Sequence, residues 1–322
     1  MKIKSSLLFN FSLLLFTFFL GCATPPEEGC TKVLMIGNSF SISLMSNLPA
    51  VAEELEVPLD LTSLYIGGCS LEKHVGNLKE RGEEDFAPYR MSRSVRGKAR
   101  PIRKGNLLEI LSDPETRYDI ITIQQASHFS WKPETYSPWG DELVAAIRKY
   151  QPQAKIYVQE TWSYTPWDKR LKDWKMDQNE MYAKLHETYA AFAKRYGFPV
   201  IPMGTAIQEW RKRLPVKYTE NSFGGDVVGG RFQKEKDRFK RKLDNTWEPN
   251  CDVFHLNEKG EYFQALVWAA ELFGKDVAKL EYRPDCVTED EAKLMKEIAG
   301  QSSAGAGQSS AGVGQSSAAA AD

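Results

Sequence analysis

The chain has 322 residues, 42% hydrophobic and 26% charged, with a formal net charge of -1 at neutral pH. That balance lacks the basic footprint of a nucleic-acid binder or of a protein held to anionic lipid by charge, so neither is expected as a partner. An aromatic content of 11%, with 8 Trp and 13 Tyr, suits contact with sugars or other flat ligands, although most aromatics serve cores.

Lys2 and Lys4 precede an apolar stretch, 7–20, that runs into Leu20-Gly21-Cys22. A basic start, an apolar core of about 14 residues against the ~20 needed to span a bilayer, and a small residue before the break read as an export signal. The cysteine directly after Gly21 makes the segment resemble a bacterial lipoprotein signal, with cleavage after residue 21 and lipid on the Cys22 sulfur. An ordinary signal with a chance cysteine is the plain alternative. Residues 22–30 form a polar tether, and the expected location is a bacterial membrane, the outer one, on its periplasmic or cell-surface face.

About 300 residues follow the leader, enough for one large domain with a sizeable core. Residues 31–299 alternate two patterns. Short apolar runs bounded by turn signals, at 32–36, 59–66, 119–123, 155–159 and 199–203, read as strands. Helical patterns lie at 48–55, 107–111, 140–150, 179–196 and 258–273, the fourth with Met181, Leu185, Tyr189, Phe192 and Tyr196 on one face. The alternation predicts an α/β fold, a doubly wound α/β/α sandwich with a mainly parallel five-stranded sheet. Its ligands would bind beyond the carboxyl ends of the strands.

Two insertions interrupt the pattern. The first, about 80–104, carries Arg90, Arg93, Arg96, Arg100 and Arg103; the second, about 212–249, carries Gly224-Gly225, Gly229-Gly230 and a charged run, 232–243, read as helical. Each reads either as a solvated excursion or as a wall of the ligand cleft. From 300 to 322 a seven-residue unit, Gly-Gln-Ser-Ser-Ala-Gly-Ala, recurs almost unchanged. It has no apolar seam and cannot bury enough area to offset its ordering entropy, so it reads as a disordered tail.

Ser39, in Gly37-Asn38-Ser39-Phe40, stands where the first strand meets a helical segment. Backbone N–H groups at such a turn favour developing negative charge, as a nucleophile requires, while a plain helix cap is the alternative. Residue 41 is Ser, so this is not the Gly-x-Ser-x-Gly elbow. More than 200 residues on, Asp252-Val253-Phe254-His255 offers a base and, three residues before it, a carboxylate able to orient its imidazole. With only 4 His in the chain, few other bases exist. His186-Glu187 lacks the second His of a zincin helix, and no metal or other cofactor is called for. His74 reads as structural or solvated. His128 and Trp162 are candidate substrate contacts, with core packing the alternative for Trp162. Apart from Cys22, Cys30, Cys69, Cys251 and Cys286 remain, which allows three pairings. Cys69 and Cys251 adjoin the two reactive segments, where a disulfide and free thiols both fit.

Four ordered blocks resemble the SGNH (GDSL-type) hydrolase superfamily, and in particular SGNH-like bacterial lipoproteins. They are Gly37-Asn38-Ser39-Phe40, Ile66-Gly67-Gly68-Cys69-Ser70-Leu71, Gln124-Gln125-Ala126-Ser127-His128 and Asp252-Val253-Phe254-His255. The resemblance spans roughly 32–273 outside the insertions. It implies a flavodoxin-like fold and acyl-ester hydrolysis by Ser39, His255 and Asp252. It also implies an oxyanion hole made by the N–H groups of Ser39 and Gly68 and the side chain of Gln125 (or Gln124), which stands where the superfamily has Asn. The expected substrate is an O-acetylated polysaccharide or glycan or a small ester; lipid esters and thioesters lie within the same superfamily. A non-catalytic glycan-binding lipoprotein on this fold is the alternative of a different class, and three intact triad residues stand against it.

Overall fold

Val33 to Ile36 are all buried, so β1 (Thr31–Gly37) is a continuous apolar run, as a strand covered on both faces requires. The protein is described by a computed structural model over residues 29–79, 86–214 and 216–311. The expected signal, Cys22, most of the tether and the end of the tail lie outside the described residues. In chain order β2 (Leu59–Tyr65), β3 (Tyr89–Val95), β4 (Lys98–Ala99), β5 (Arg103–Gly105), β6 (Ile120–Ile123), β7 (Lys155–Gln159) and β8 (Val200–Ile201) join β1 in one sheet. Its order is β4-β3-β2-β1-β6-β7-β8, with β5 on β3.

The five expected strands, β2-β1-β6-β7-β8, are mutually parallel. Taken among themselves they have the 2-1-3-4-5 order of a doubly wound, flavodoxin-like sheet. Gly37 pairs with Tyr65 and Ile36 with Ile123, so the carboxyl ends are aligned along one edge.

The first insertion, from residue 86 on, is not a simple solvated excursion. Over its described part it extends the sheet, because β3 runs antiparallel to β2 and carries β4 and β5 on its far side. Arg93 makes a bidentate pair with Asp60 of β2 at 2.8 and 2.7 Å. Charged side chains on short outer strands also discourage edge-to-edge association.

The helices are α1 (Ser39–Ile42), α2 (Leu44–Glu54), α3 (Leu71–Lys79), α4 (Leu107–Ser112), α5 (Trp139–Tyr150), α6 (Lys169–Asp173), α7 (Gln178–Tyr196), α8 (Met203–Arg213), α9 (Glu258–Phe273) and α10 (Glu289–Ala311). One layer holds α3, α4 and α5; the other holds α2, α8, α9 and α10. α7 is bounded as its sequence dictates, by an Asp177/Glu180 capping box and by Gly197 in the left-handed region. α9 is apolar nearly all round, since α2, α8 and α10 enclose it. Among the described residues no helix is long and apolar enough to cross a membrane.

Two boundaries differ from expectation. α10 continues to Ala311, past the break expected at 299. Its earlier turns bury Ala292, Met295, Ile298 and Ala299, and extending an established helix adds one hydrogen bond per residue without a new nucleus. The charged run 232–243 is not helical. It contains a single 3-10 turn and leads into a hairpin of β9 (Phe239–Arg241) and β10 (Trp247–Pro249). Asn245, at φ 66, turns the chain, and Phe239 packs on Phe223 and Trp167; one buried aromatic and a turn residue override the helical character of the charges.

Candidate active site

β1 ends at Gly37, and Asn38 caps α1, which puts Ser39 at its first position. A methyl group on Gly37 would lie 2.2 Å from Ser41 Oγ, so a larger residue there must displace the hydroxyl that donates to the Asn38 carbonyl. The Asn38 side chain ties three sequence blocks together. Its Oδ1 accepts from Phe40 N (3.0 Å) and Gln124 Nε2 (2.7 Å), and its Nδ2 donates to the Cys69 carbonyl (3.0 Å). An ionised aspartate has no donor for the last contact, which accounts for an amide here.

After one turn the helical ladder breaks. The Phe40 carbonyl accepts instead from Gln159 Nε2 and Gln264 Nε2, each at 2.8 Å, and Ser43 Oγ donates to Gln264 Oε1 at 2.6 Å. Both glutamines are fully buried. They hold the turn that presents Ser39, a role that sequence reading missed because glutamine is ordinarily a surface residue.

Ser39 Oγ lies 2.7 Å from His255 Nε2, and His255 Nδ1 lies 2.7 Å from Asp252 Oδ2. Asp252 Oδ1 also accepts from the N–H groups of Phe254 (2.9 Å) and His255 (2.6 Å), fixing carboxylate and imidazole on one turn. Burial raises the Asp252 carboxyl, but its hydrogen bond to His255, the histidine charge and the two backbone N–H groups outweigh that and hold it below the ordinary value. An ionised Asp252 keeps the imidazole proton on Nδ1 and leaves Nε2 free to accept the serine proton.

Four consecutive carbonyls of this loop are each hydrogen-bonded. Gly230 N donates to Asp252 O and Gly229 N to His255 O, both at 2.8 Å. Thr165 Oγ1 donates to Val253 O at 2.7 Å and Trp162 Nε1 to Phe254 O at 2.9 Å. Gly229 and Gly230 have φ of +88 and +76, and a methyl group on either would sit 2.6 Å from Phe223 or Arg238. Only glycine fits both demands. The second insertion is therefore in part a brace for the Asp252–His255 turn.

The two glutamines of the third block are used differently, and Gln125 is not placed as the expected oxyanion donor. Gln125 Oε1 accepts from the N–H groups of Leu71 (3.0 Å) and Ala126 (2.8 Å), and its Nε2 donates to Thr135 O and Oγ1 (2.9 and 3.1 Å). Gln124 is buried and gives one of its two amide hydrogens to Asn38. The long glutamine arm braces neighbouring loops. Among the described residues no acceptor is found for the backbone N–H of Ser39 or of the exposed Gly68.

Trp162 is 1% exposed and stacks on Phe40 with centroids 4.1 Å apart, so it is no sugar platform; its indole instead holds the loop beside His255. His128 is half-buried at the same sheet edge, and a methyl group on Gly68 would lie 4.0 Å from its Cε1. His74 is a core residue, with Nδ1 2.8 Å from Tyr89 Oη and burial lowering its pKa to about 3. His186 pairs with the buried Glu160 at 2.6 Å. Cys30, Cys69, Cys251 and Cys286 are free thiols; Cys69 is buried beside His74, and Cys251 Sγ donates to Arg238 O, so no bridge joins the two reactive segments. Among the described residues no group of three or more His, Cys, Asp or Glu could hold a metal.

The model of a domain of unknown function, DUF4886, matches residues 32–241, a span that includes Ser39, Gly68 and His128 and stops before Asp252. A crystallised DUF4886 family protein from Bacteroides uniformis superposes with a TM-score of 0.68 at 26% identity, over 85% of this chain and 94% of its own. The acetyl xylan esterase AlAXEase gives a TM-score of 0.43 at 14% identity, over 74% of this chain and 98% of its own. No curated protein matches the chain.

Proposed function

This chain belongs to the DUF4886 family, and we propose that it is a serine ester hydrolase of the SGNH type that removes acyl groups, O-acetyl above all, from a polysaccharide or glycan. The observation that carries the reading is the relay of two 2.7 Å contacts from Ser39 Oγ through His255 to Asp252. Ser39 Oγ attacks the ester carbonyl as His255 Nε2 takes its proton. The resulting oxyanion meets the unengaged N–H groups of Ser39 and Gly68. Collapse expels the alcohol, protonated by His255, and leaves an acyl-enzyme that water hydrolyses with the same base. Asp252 stays ionised throughout and stabilises the imidazolium. The His255 and Asp252 side chains are 19% and 25% exposed, which favours an ester displayed on a polymer reaching them directly from solvent. In the same proposal lipid on Cys22 tethers the enzyme to the outer membrane, where such polymers are met.

The test uses residues 29–311. The domain should hydrolyse 4-nitrophenyl acetate and be labelled by a fluorophosphonate, and Ser39→Ala should abolish both. A wild type that neither turns over nor labels, or a mutant labelled equally, refutes the reading.

A further inference from the structure

A line of rings and cations leads away from the general base. The Phe254 ring centroid is 4.1 Å from the His255 imidazole, and the Arg170 guanidinium carbon lies 4.3 Å from the centroid of that same ring. Further out, the guanidinium carbon is 6.0 Å from the Trp174 ring, which is itself 5.3 Å from Trp131. The ammonium groups of Lys132 and Lys184 lie over Trp131 at 4.9 and 5.7 Å. Phe254, Arg170, Trp174 and Trp131 are each half-buried, so the line is a surface track and not core.

The charge that this track shows to solvent is positive. Arg170 Nε and Nη2 donate to the Asp168 carboxylate at 2.9 and 2.5 Å. The Asp168 side chain is only 4% exposed, however, against 34% for Arg170. The carboxylate therefore fixes the guanidinium from the inside, and among the described residues Nη1 is left without a partner. Lys132 and Lys184 form no ion pair among the described residues. We propose that the track is the substrate subsite and selects an anionic glycan, with Arg170 as the specificity-determining residue. Its Nη1 receives a carboxylate or sulfate of the sugar chain, the Trp131 and Trp174 rings offer faces for sugar C–H groups, and Lys132 and Lys184 receive further anions. The proposal rests on the ester-hydrolase reading, which among polyanions requires one with acylated hydroxyls. A guanidinium stacked on rings and braced by a buried carboxylate is preorganised, so little ordering entropy opposes the contact.

The experiment measures kcat/KM on acetylated polygalacturonate, acetylated dextran sulfate and acetylated dextran. Calorimetry on the Ser39→Ala form measures binding of the three unacetylated polymers. Wild type should favour at least one polyanion over dextran by about tenfold or more, as one hydrogen bond to a charged group provides, and salt should reduce the preference. Whichever polyanion leads distinguishes carboxylate from sulfate. Arg170→Gln should remove most of the preference and Arg170→Lys, which keeps the charge, should retain part of it. The ratio between substrates cancels any general loss of activity from a loosened Phe254. Lys132→Gln, a second variant at the surface, should lower the ratio as well. Equal kcat/KM on all three polymers, or a preference unchanged in both Gln variants, overturns the proposal and leaves the hydrolase standing. Binding to phosphatidylglycerol vesicles without polymer preference overturns it too, because the track then faces lipid. A polyanion bound by Ser39→Ala, beside a wild type that cleaves no ester, leaves the subsite and overturns the hydrolase reading.

Discussion

Replacing Trp162 by Phe separates two roles for a tryptophan beside a glycan-directed site. The ring is fully buried, stacks on Phe40 at 4.1 Å and donates its only polar hydrogen to the Phe254 carbonyl at 2.9 Å. Phenylalanine keeps most of the stacking and removes the donor. The Phe254 carbonyl is then left without its partner, a loss of about 1–3 kcal/mol for a buried group. The smaller ring adds a void of about 40 Å³, roughly 1 kcal/mol at ~24 cal/mol per Å³. The expected destabilisation is about 2–4 kcal/mol, or a fall in Tm of roughly 3–7 °C for a domain of this size.

The catalytic consequence follows from the neighbours. Phe254 lies between Asp252 and His255, and its ring centroid is 4.1 Å from the imidazole. Releasing its carbonyl loosens the turn that aims Nε2 at Ser39, so kcat should fall by about 10–100-fold, as misplacement of a catalytic group commonly produces. Thermal melts report the first effect. Initial rates on both 4-nitrophenyl acetate and an acetylated oligosaccharide report the second, with the two substrates affected alike. A raised KM for the oligosaccharide alone, with kcat and Tm unchanged, would refute the positioning role and return Trp162 to the substrate surface.

Gly229→Ala tests the brace supplied by the second insertion. With φ at +88 and a Cβ that would sit 2.6 Å from Phe223, the variant should lose at least about 1–3 kcal/mol by denaturant titration and fall in kcat with it; wild-type stability and rate would show that the brace does not require glycine at this position. His74 predicts acid sensitivity. Burial depresses its folded pKa to about 3 against ~6.5 unfolded, so between those values the unfolded state binds more protons and stability falls as pH falls, by about 1.4 kcal/mol per unit. Roughly 2–3 kcal/mol should be gone at pH 4.5. His74→Gln should flatten that limb in urea melts at pH 7, 5.5 and 4.5, and an unchanged slope would show that His74 is not the sensor.

The parts legible in the sequence are those that chemistry or periodicity forces into a particular residue type. An apolar run covered on both faces has few alternatives, and the strands at 155–159 and the helix at 258–273 keep their expected bounds. A serine nucleophile, its base and its carboxylate are also hard to disguise, and Ser39, His255 and Asp252 meet as their spacing suggests. The first insertion misled because its five arginines drew attention away from Tyr89 to Val95, a run without clean apolar alternation whose strand character comes from its pairing with β2 and from the Arg93–Asp60 ion pair across that pairing. Gln125 misled through resemblance, since a glutamine where an asparagine donor was expected reads as a longer version of the same group. Its extra reach lets it serve the loops at Leu71 and Thr135 instead.

What stayed hidden shares one physical character. The turn bearing Ser39 is held by amides on Phe40 O from Gln159 and Gln264, the latter 224 positions away; the turn bearing His255 is held by backbone N–H groups of two glycines and by an indole. Each contact satisfies a main-chain carbonyl, and a carbonyl looks the same in every sequence. The identity of a supporting residue is set only by where the fold delivers it. A reactive triad can thus be read from residue types, while the shell that makes it reactive is an accounting of carbonyls.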